Sequence, residues 1–126
     1  MVAIPALLGA SEVSAADLAA KFFRGLGDPT RVRILRMLIE EGDKNVGELV
    51  ERIGAPQGRV SSHLACLRWC GFATSYRVGR NVFYTVADPR IRDLLSLGDR
   101  ILLDNAERVL ACQTIGDAQE IAVGQP

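Results

Sequence analysis

The sequence has no surplus of either charge: 15 Lys and Arg balance 15 Asp and Glu over 126 residues. That balance excludes a chain basic throughout, such as a nucleic-acid coat protein. Three cysteines are too few, and odd in number, for a disulfide scaffold. No apolar run approaches the roughly 18 residues of a membrane span. The apolar opening, Met1 to Ala10, has no basic flank and soon meets Glu12 and Asp17, so it does not read as a signal peptide. These absences point to the cytoplasm, with reduced thiols and no membrane partner. What remains is 48% apolar and 24% charged, enough for one domain with its own core.

Acids are missing from one stretch. Between Arg52 and Ala87 there is no Asp or Glu, while Arg52, Arg59, Arg68, Arg77 and Arg80 fall inside it. The acids cluster on both sides, at Glu40, Glu41, Asp43, Glu48 and Glu51, then at Asp88, Asp93, Asp99, Asp104 and Glu107. A neutral chain with one acid-free basic block has a polarised surface, and such a surface faces anions or is merely solvated.

Periodicity and punctuation give the element order. Ser14 to Leu26 reads as a helix with Ser14 as N-cap and Leu18, Phe22 and Phe23 at helical spacing. Asp28-Pro29 starts a second helix to about Glu41, with Val32, Leu35, Leu38 and Ile39 inward. Asn45 and Glu48 form a capping box before a short helix with Val46, Leu49, Val50 and Ile53 on one face. After Gly54-Ala55-Pro56 a fourth helix runs from about Gln57 to Trp69 or Cys70, with Val60, Leu64 and Leu67 inward and Gly71 beyond its end. Phe72 to Val78 and Val82 to Val86 read as strands joined by Gly79-Arg80-Asn81. Asp88-Pro89 opens a last helix to about Ala111.

Short helix, tight turn and helix make a helix-turn-helix, and the basic hairpin after it makes a wing. The expected fold is mainly α with a small β-hairpin, a winged helix-turn-helix. Its two outer helices carry apolar faces that so small a core cannot cover, so a homodimer is expected. The divisions are an N-terminal arm (1–13), the winged domain with its dimerisation helices (14–112) and a mobile tail (113–126). A recognition helix presents its N-terminal residues to base edges in the major groove. Here these are Gln57, Gly58, Arg59, Ser61 and Ser62; Gln and Arg suit bidentate contacts to adenine and guanine. On the wing, Arg77, Arg80 and Asn81 suit phosphate or minor-groove contacts. The expected partner is double-stranded operator DNA.

The segments GLGDPTRVRILRML (25–38), GELVERIGAPQGRVSSHLACLRWCGF (47–72) and YRVGRNVFYTV (76–86) resemble the ArsR/SmtB family of metal-responsive repressors. The resemblance implies a dimeric winged helix-turn-helix repressor that leaves its operator when an inducer binds.

Cys66 and Cys70 stand four apart, one turn from each other on the recognition helix, and Cys112 comes after the last helix. Single cysteines are common small core residues; a pair at this spacing with a third at a helix end is less easily so explained. The segment HLACLRWCG is similar to the CmtR-like, cadmium- and lead-responsive branch of the family. That similarity implies Cys66, Cys70 and Cys112 as metal ligands. Three thiolates select soft ions such as cadmium, lead or mercury as inducer. His63, the only histidine, is a regular family feature of the VSSHL segment, structural or DNA-facing, with a ligand role as the lesser alternative. The family's other metal sites need cysteines within Gly47 to Arg52 or histidines on the last helix, and neither is present. Redox or reactive-sulfur sensing by the same thiols stays open as the alternative function.

Two enzyme signals fail. Gly25-Leu26-Gly27 has no strand before it and Thr30 stands at the third glycine of a dinucleotide fingerprint. His63 and Cys66 have no third group to orient them as a nucleophile pair. An enzyme is not expected.

Overall fold

Short polar side chains start the first three helices. The Ser14 hydroxyl accepts from the Asp17 amide at 3.0 Å, and the Asp17 carboxylate accepts from the Ser14 amide at 3.3 Å. This reciprocal box opens α1 (Ala15–Gly25). Asp28 Oδ1 accepts from the amides of Thr30 and Arg31 at 2.8 and 3.1 Å and opens α2 (Pro29–Glu41), with proline in the first turn. Asn45 and Glu48 exchange bonds of 2.8 and 2.9 Å at the start of α3 (Val46–Ile53). Beyond it lie α4 (Gln57–Trp69), two strands and α5 (Pro89–Ala111). The computed structural model describes residues 14–113. The expected arm, and the expected tail beyond Gln113, lie outside the described residues.

The end of α4 fixes where the wing begins. Gly71 takes a φ of 83°, open to glycine at little cost. The Gly71 amide then bonds the Arg68 carbonyl at 3.1 Å and the Phe72 amide bonds the Leu67 carbonyl at 2.8 Å. This Schellman closure buries Phe72 and Leu67 together.

The sheet departs from the sequence-based expectation in two places. It has three strands, in the order β1-β3-β2, all antiparallel. The added strand, β1 (Lys44–Asn45), pairs Lys44 with Tyr84 and Asn45 with Phe83. Two residues are too short to leave a period-2 signal, and Asn45 also caps α3. The wing strands are β2 (Ala73–Val78) and β3 (Asn81–Val86). Asn81 pairs with Val78, so the turn is Gly79-Arg80 alone and Asn81 belongs to β3.

The chain divides into two compact units at Pro89 and Arg90. In the first, the core is Ile34, Leu35 and Leu38 of α2, Leu49 of α3, Val60, Leu64 and Leu67 of α4, with Phe72 and Ala73. The α4 stripe is as expected. On α2 the buried face centres on Ile34 and Leu38, while Val32 and Ile39 are only half-buried. The second unit begins at Arg90 and holds nearly all of α5; Ile91 is buried, while Leu97, Ile101, Leu103 and Leu110 are exposed. Among the described residues no helix is long and apolar enough to cross a membrane.

Candidate nucleic-acid interface and thiol pair

Three residues, Gly54 to Pro56, separate α3 from α4. Pro56 is the N-cap of α4 and supplies no side-chain cap; the first turn holds no acid. The leading amides of α4 therefore face outward with the positive end of the helix dipole, a setting that favours phosphate. Gln57, Gly58, Arg59, Ser61 and Ser62 are all exposed there. On the wing Arg77, Arg80 and Asn81 are exposed too. Arg80 and Asn81 share with Asn45 and Gly47 a shallow groove of about 360 Å³, beside the start of α3.

Arg52 is different. Its guanidinium forks onto both oxygens of Glu41, with the Nη2 to Oε2 bond at 2.8 Å, and Lys44 Nζ lies 3.2 Å from Oε1. The two cations hold the Glu41 carboxyl below the usual carboxylate range, Arg52 first. One of the five block arginines is thus neutralised internally. The wing is tied down nearby: Tyr76 donates its hydroxyl to Asp43 Oδ2 at 2.6 Å and stacks on Phe83 with centroids 5.7 Å apart. Donation to that carboxylate pushes the Tyr76 phenol up.

His63, expected to be structural, DNA-facing or a ligand, is placed against the start of α2. Its side chain is 16% exposed, with Nε2 3.8 Å from Asp28 Oδ1 and Nδ1 3.3 Å from Arg31 Nη1. Arg31 carries no role in the sequence-based expectation, yet it joins three helices. Its Nε donates to the Gly25 carbonyl at 2.7 Å and its Nη2 to the Arg24 carbonyl at 3.1 Å. The DPTR segment held the signal, since an arginine beside a helix start can reach the carbonyl end of the preceding helix.

Cys66 and Cys70 are both half-buried on α4 and not joined in a disulfide. Burial pushes the Cys70 thiol up, and so do the charge and hydrogen bond of Cys66; Arg31 and Lys21 act against this. Cys70 also abuts the end of α1. A Cβ on Gly25 would stand 3.3 Å from the Cys70 sulfur and 3.0 Å from Cε2 of Phe72, which explains a glycine there. Cys112, half-buried, lies just past α5, and its amide donates to the Val109 carbonyl at 3.2 Å. Among the described residues, no three His, Cys, Asp or Glu side chains of one chain are grouped to hold a metal ion. Cys66 and Cys70, one turn apart on α4, could between them hold a soft ion.

The bacterial regulatory proteins of the arsR family match residues 28–75, from the α2 cap through the start of the wing. A probable mercury resistance operon repressor of Streptomyces lividans is 41% identical over 99 residues, covering 79% of this chain and 78% of its own. The regulator CmtR of Mycobacterium bovis is 42% identical over 72 residues, 57% of this chain and 60% of its own. Among solved structures, Mycobacterium tuberculosis Rv0081 superposes with a TM-score of 0.70 at 34% identity, over 76% of this chain and 96% of that one. The homodimeric winged helix-turn-helix domain Mb0332 of Mycobacterium bovis does so with 0.64 at 25% identity, over 77% and 90%. The helix-turn-helix of α3 and α4, the three-stranded winged sheet and these likenesses agree: the chain belongs to the arsR family of bacterial regulatory proteins, which are DNA-binding transcriptional regulators and not enzymes.

Proposed function

We propose that the chain is a cytoplasmic, heavy-metal-responsive repressor whose homodimer binds two-fold operator DNA and leaves it when a thiophilic ion binds Cys66, Cys70 and Cys112. One observation carries this reading: the thiol pair lies on the same helix as the exposed Gln57, Arg59, Ser61 and Ser62. The relatives named for mercury resistance and as CmtR support a soft ion, cadmium, lead or mercury, as inducer. The dimer is supported by the apolar residues exposed on α1 and α5, among them Phe23, Ile101 and Leu103, and by the homodimeric relative.

On DNA, Arg59 and Gln57 read base edges, Ser61 and Ser62 reach bases or phosphates, and Gly58 lets the backbone approach. Arg77, Arg80 and Asn81 hold the backbone or minor groove beside them. An ion drawn to the thiols acts where Cys70 meets Gly25, so it shifts α1 against α4. Cys112 completes the donor set from the same subunit or its partner. Allosteric couplings of about 1–3 kcal/mol give a roughly 5- to 150-fold loss of affinity, enough for a switch.

The test is anisotropy of a promoter duplex with reduced, anaerobic protein, titrated with mercuric, cadmium or lead ion. Release by about one equivalent per site is expected, and operator must weaken ion binding by the same factor. Release by a persulfide or peroxide, with no response to any ion, would replace the metal reading with thiol oxidation at the same pair.

A further inference from the structure

Beside the thiol pair, α1 and α4 leave a groove of about 610 Å³. Leu18, Ala19, Lys21 and Phe22 line it from α1, Trp69 and Cys70 from α4. Trp69 is 90% exposed and is the sole tryptophan of the chain. The exposed indole and the Phe22 ring give the groove a mostly apolar lining. A bare metal ion has no use for such walls. The groove's size falls in the range of small-molecule sites, and Cys70 sets a soft nucleophile in its wall, with the Cys66 thiol within hydrogen-bond reach.

We propose that this groove is a subsite for organomercurials, in which the thiol pair takes the mercury and the organic group lies against Phe22 and Trp69. The inference rests on the thiol pair as inducer site and adds a ligand class to it. The step is a ligand exchange. The bond from mercury to its halide breaks, a mercury–sulfur bond to Cys70 forms, the thiol proton goes to water and the halide leaves. The carbon–mercury bond stays intact and nothing is oxidised or reduced. The Cys66 thiol then loses its proton to water, and its thiolate adds to the same mercury as a third ligand with no further bond broken.

The experiment uses the full reduced chain. Phenylmercuric chloride, methylmercuric chloride and mercuric chloride are each competed against glutathione, with Trp69 fluorescence as readout. Burying a phenyl group predicts a preference for phenyl over methyl at least roughly tenfold beyond that of glutathione itself. Ala19→Phe fills the groove and should abolish this preference while leaving competition for the mercuric ion unchanged; Leu18→Asp should act in the same direction. A phenyl-to-methyl ratio equal to that of glutathione, or one untouched by both variants, overturns the proposal. So does loss of the dimer in Ala19→Phe, by sedimentation, because the groove would then seat a second copy. If mercuric ion leaves the operator complex intact while the phenyl preference persists, the inducer reading falls and the subsite stands.

Discussion

Arg31 Nη1 lies 3.3 Å from Nδ1 of His63, and this contact ties the start of α2 to α4. A guanidinium has no acceptor, so in this contact Arg31 is the donor, while Nε2 of the same ring lies 3.8 Å from Asp28 Oδ1. The same guanidinium closes the carbonyl end of α1 through Gly25 and Arg24. One side chain on α2 thus ties together α1, α2 and α4.

Arg31→Ala should therefore destabilise the domain more than loss of a surface arginine. Charge-assisted bonds to carbonyls are worth about 1.5–3 kcal/mol when broken in a part-buried setting. Arg31→Lys should restore less than half, because a point charge cannot serve both carbonyls and the ring. The urea midpoints of the three proteins measure this; an unchanged midpoint in Arg31→Ala would refute it.

Operator binding should sort the arginines by what they already touch. Arg59→Ala is expected to cost about 1–3 kcal/mol and relax base preference, whereas Arg80→Ala should lower the salt slope by about one without changing preference. Arg52→Ala should change neither, since Glu41 already neutralises it. Anisotropy titrations across a potassium chloride series, on operator and scrambled duplexes, separate these outcomes. A slope lowered by Arg52→Ala as much as by Arg80→Ala would contradict the assignment.

Much of the fold is legible in the sequence. Caps at Ser14, Asp28 and Asn45, the α4 stripe of Val60, Leu64 and Leu67 and the Gly71 stop are local signals, carried by residues a few positions apart. The two-residue strand β1 is not legible, because its pairing with Tyr84 and Phe83 spans some forty residues and its own pattern is too short. The same holds for the site. The Cys66–Cys70 spacing needs only a helix, but the contact of Cys70 with Gly25, the Arg31 fork and the Glu41 partner of Arg52 are tertiary. Charge counting ranks Arg52 with the other block arginines; only the fold shows it paired.

The Cys70 thiol should stay protonated to higher pH than an ordinary cysteine. Burial and Cys66 raise it, so the thiolate needed by an ion forms only with proton release. Ion affinity should accordingly climb with pH through the neutral range. The raised value sets the sign for stability: the contribution is present below the unfolded pKa and is lost as pH rises through the folded one. Iodoacetamide labelling of the Cys70 peptide, read by mass spectrometry, gives the midpoint. Cys66→Ser should bring it part of the way down, leaving the burial effect. A Cys70 midpoint below that of a free thiol would contradict this.

Gly25→Ala tests whether α1 carries the signal from the thiols. The added methyl would stand 3.0 Å from the fully buried Phe72 ring and 3.3 Å from the Cys70 sulfur. Phe72 is closed in by Leu67 and the Schellman turn, so α1 is the part that yields, as it would when an ion swells the Cys70 side. Overpacking of this kind costs about 1–3 kcal/mol, which leaves a folded protein with α1 displaced. The variant should bind operator more weakly without any ion, and mercuric ion should then release it with a smaller further loss. Anisotropy with and without one equivalent of mercuric ion gives both numbers, and Cys70→Ser in the same series reports the uncoupled limit. Operator affinity and release equal to those of the unaltered chain would show that the ion acts through some element other than α1.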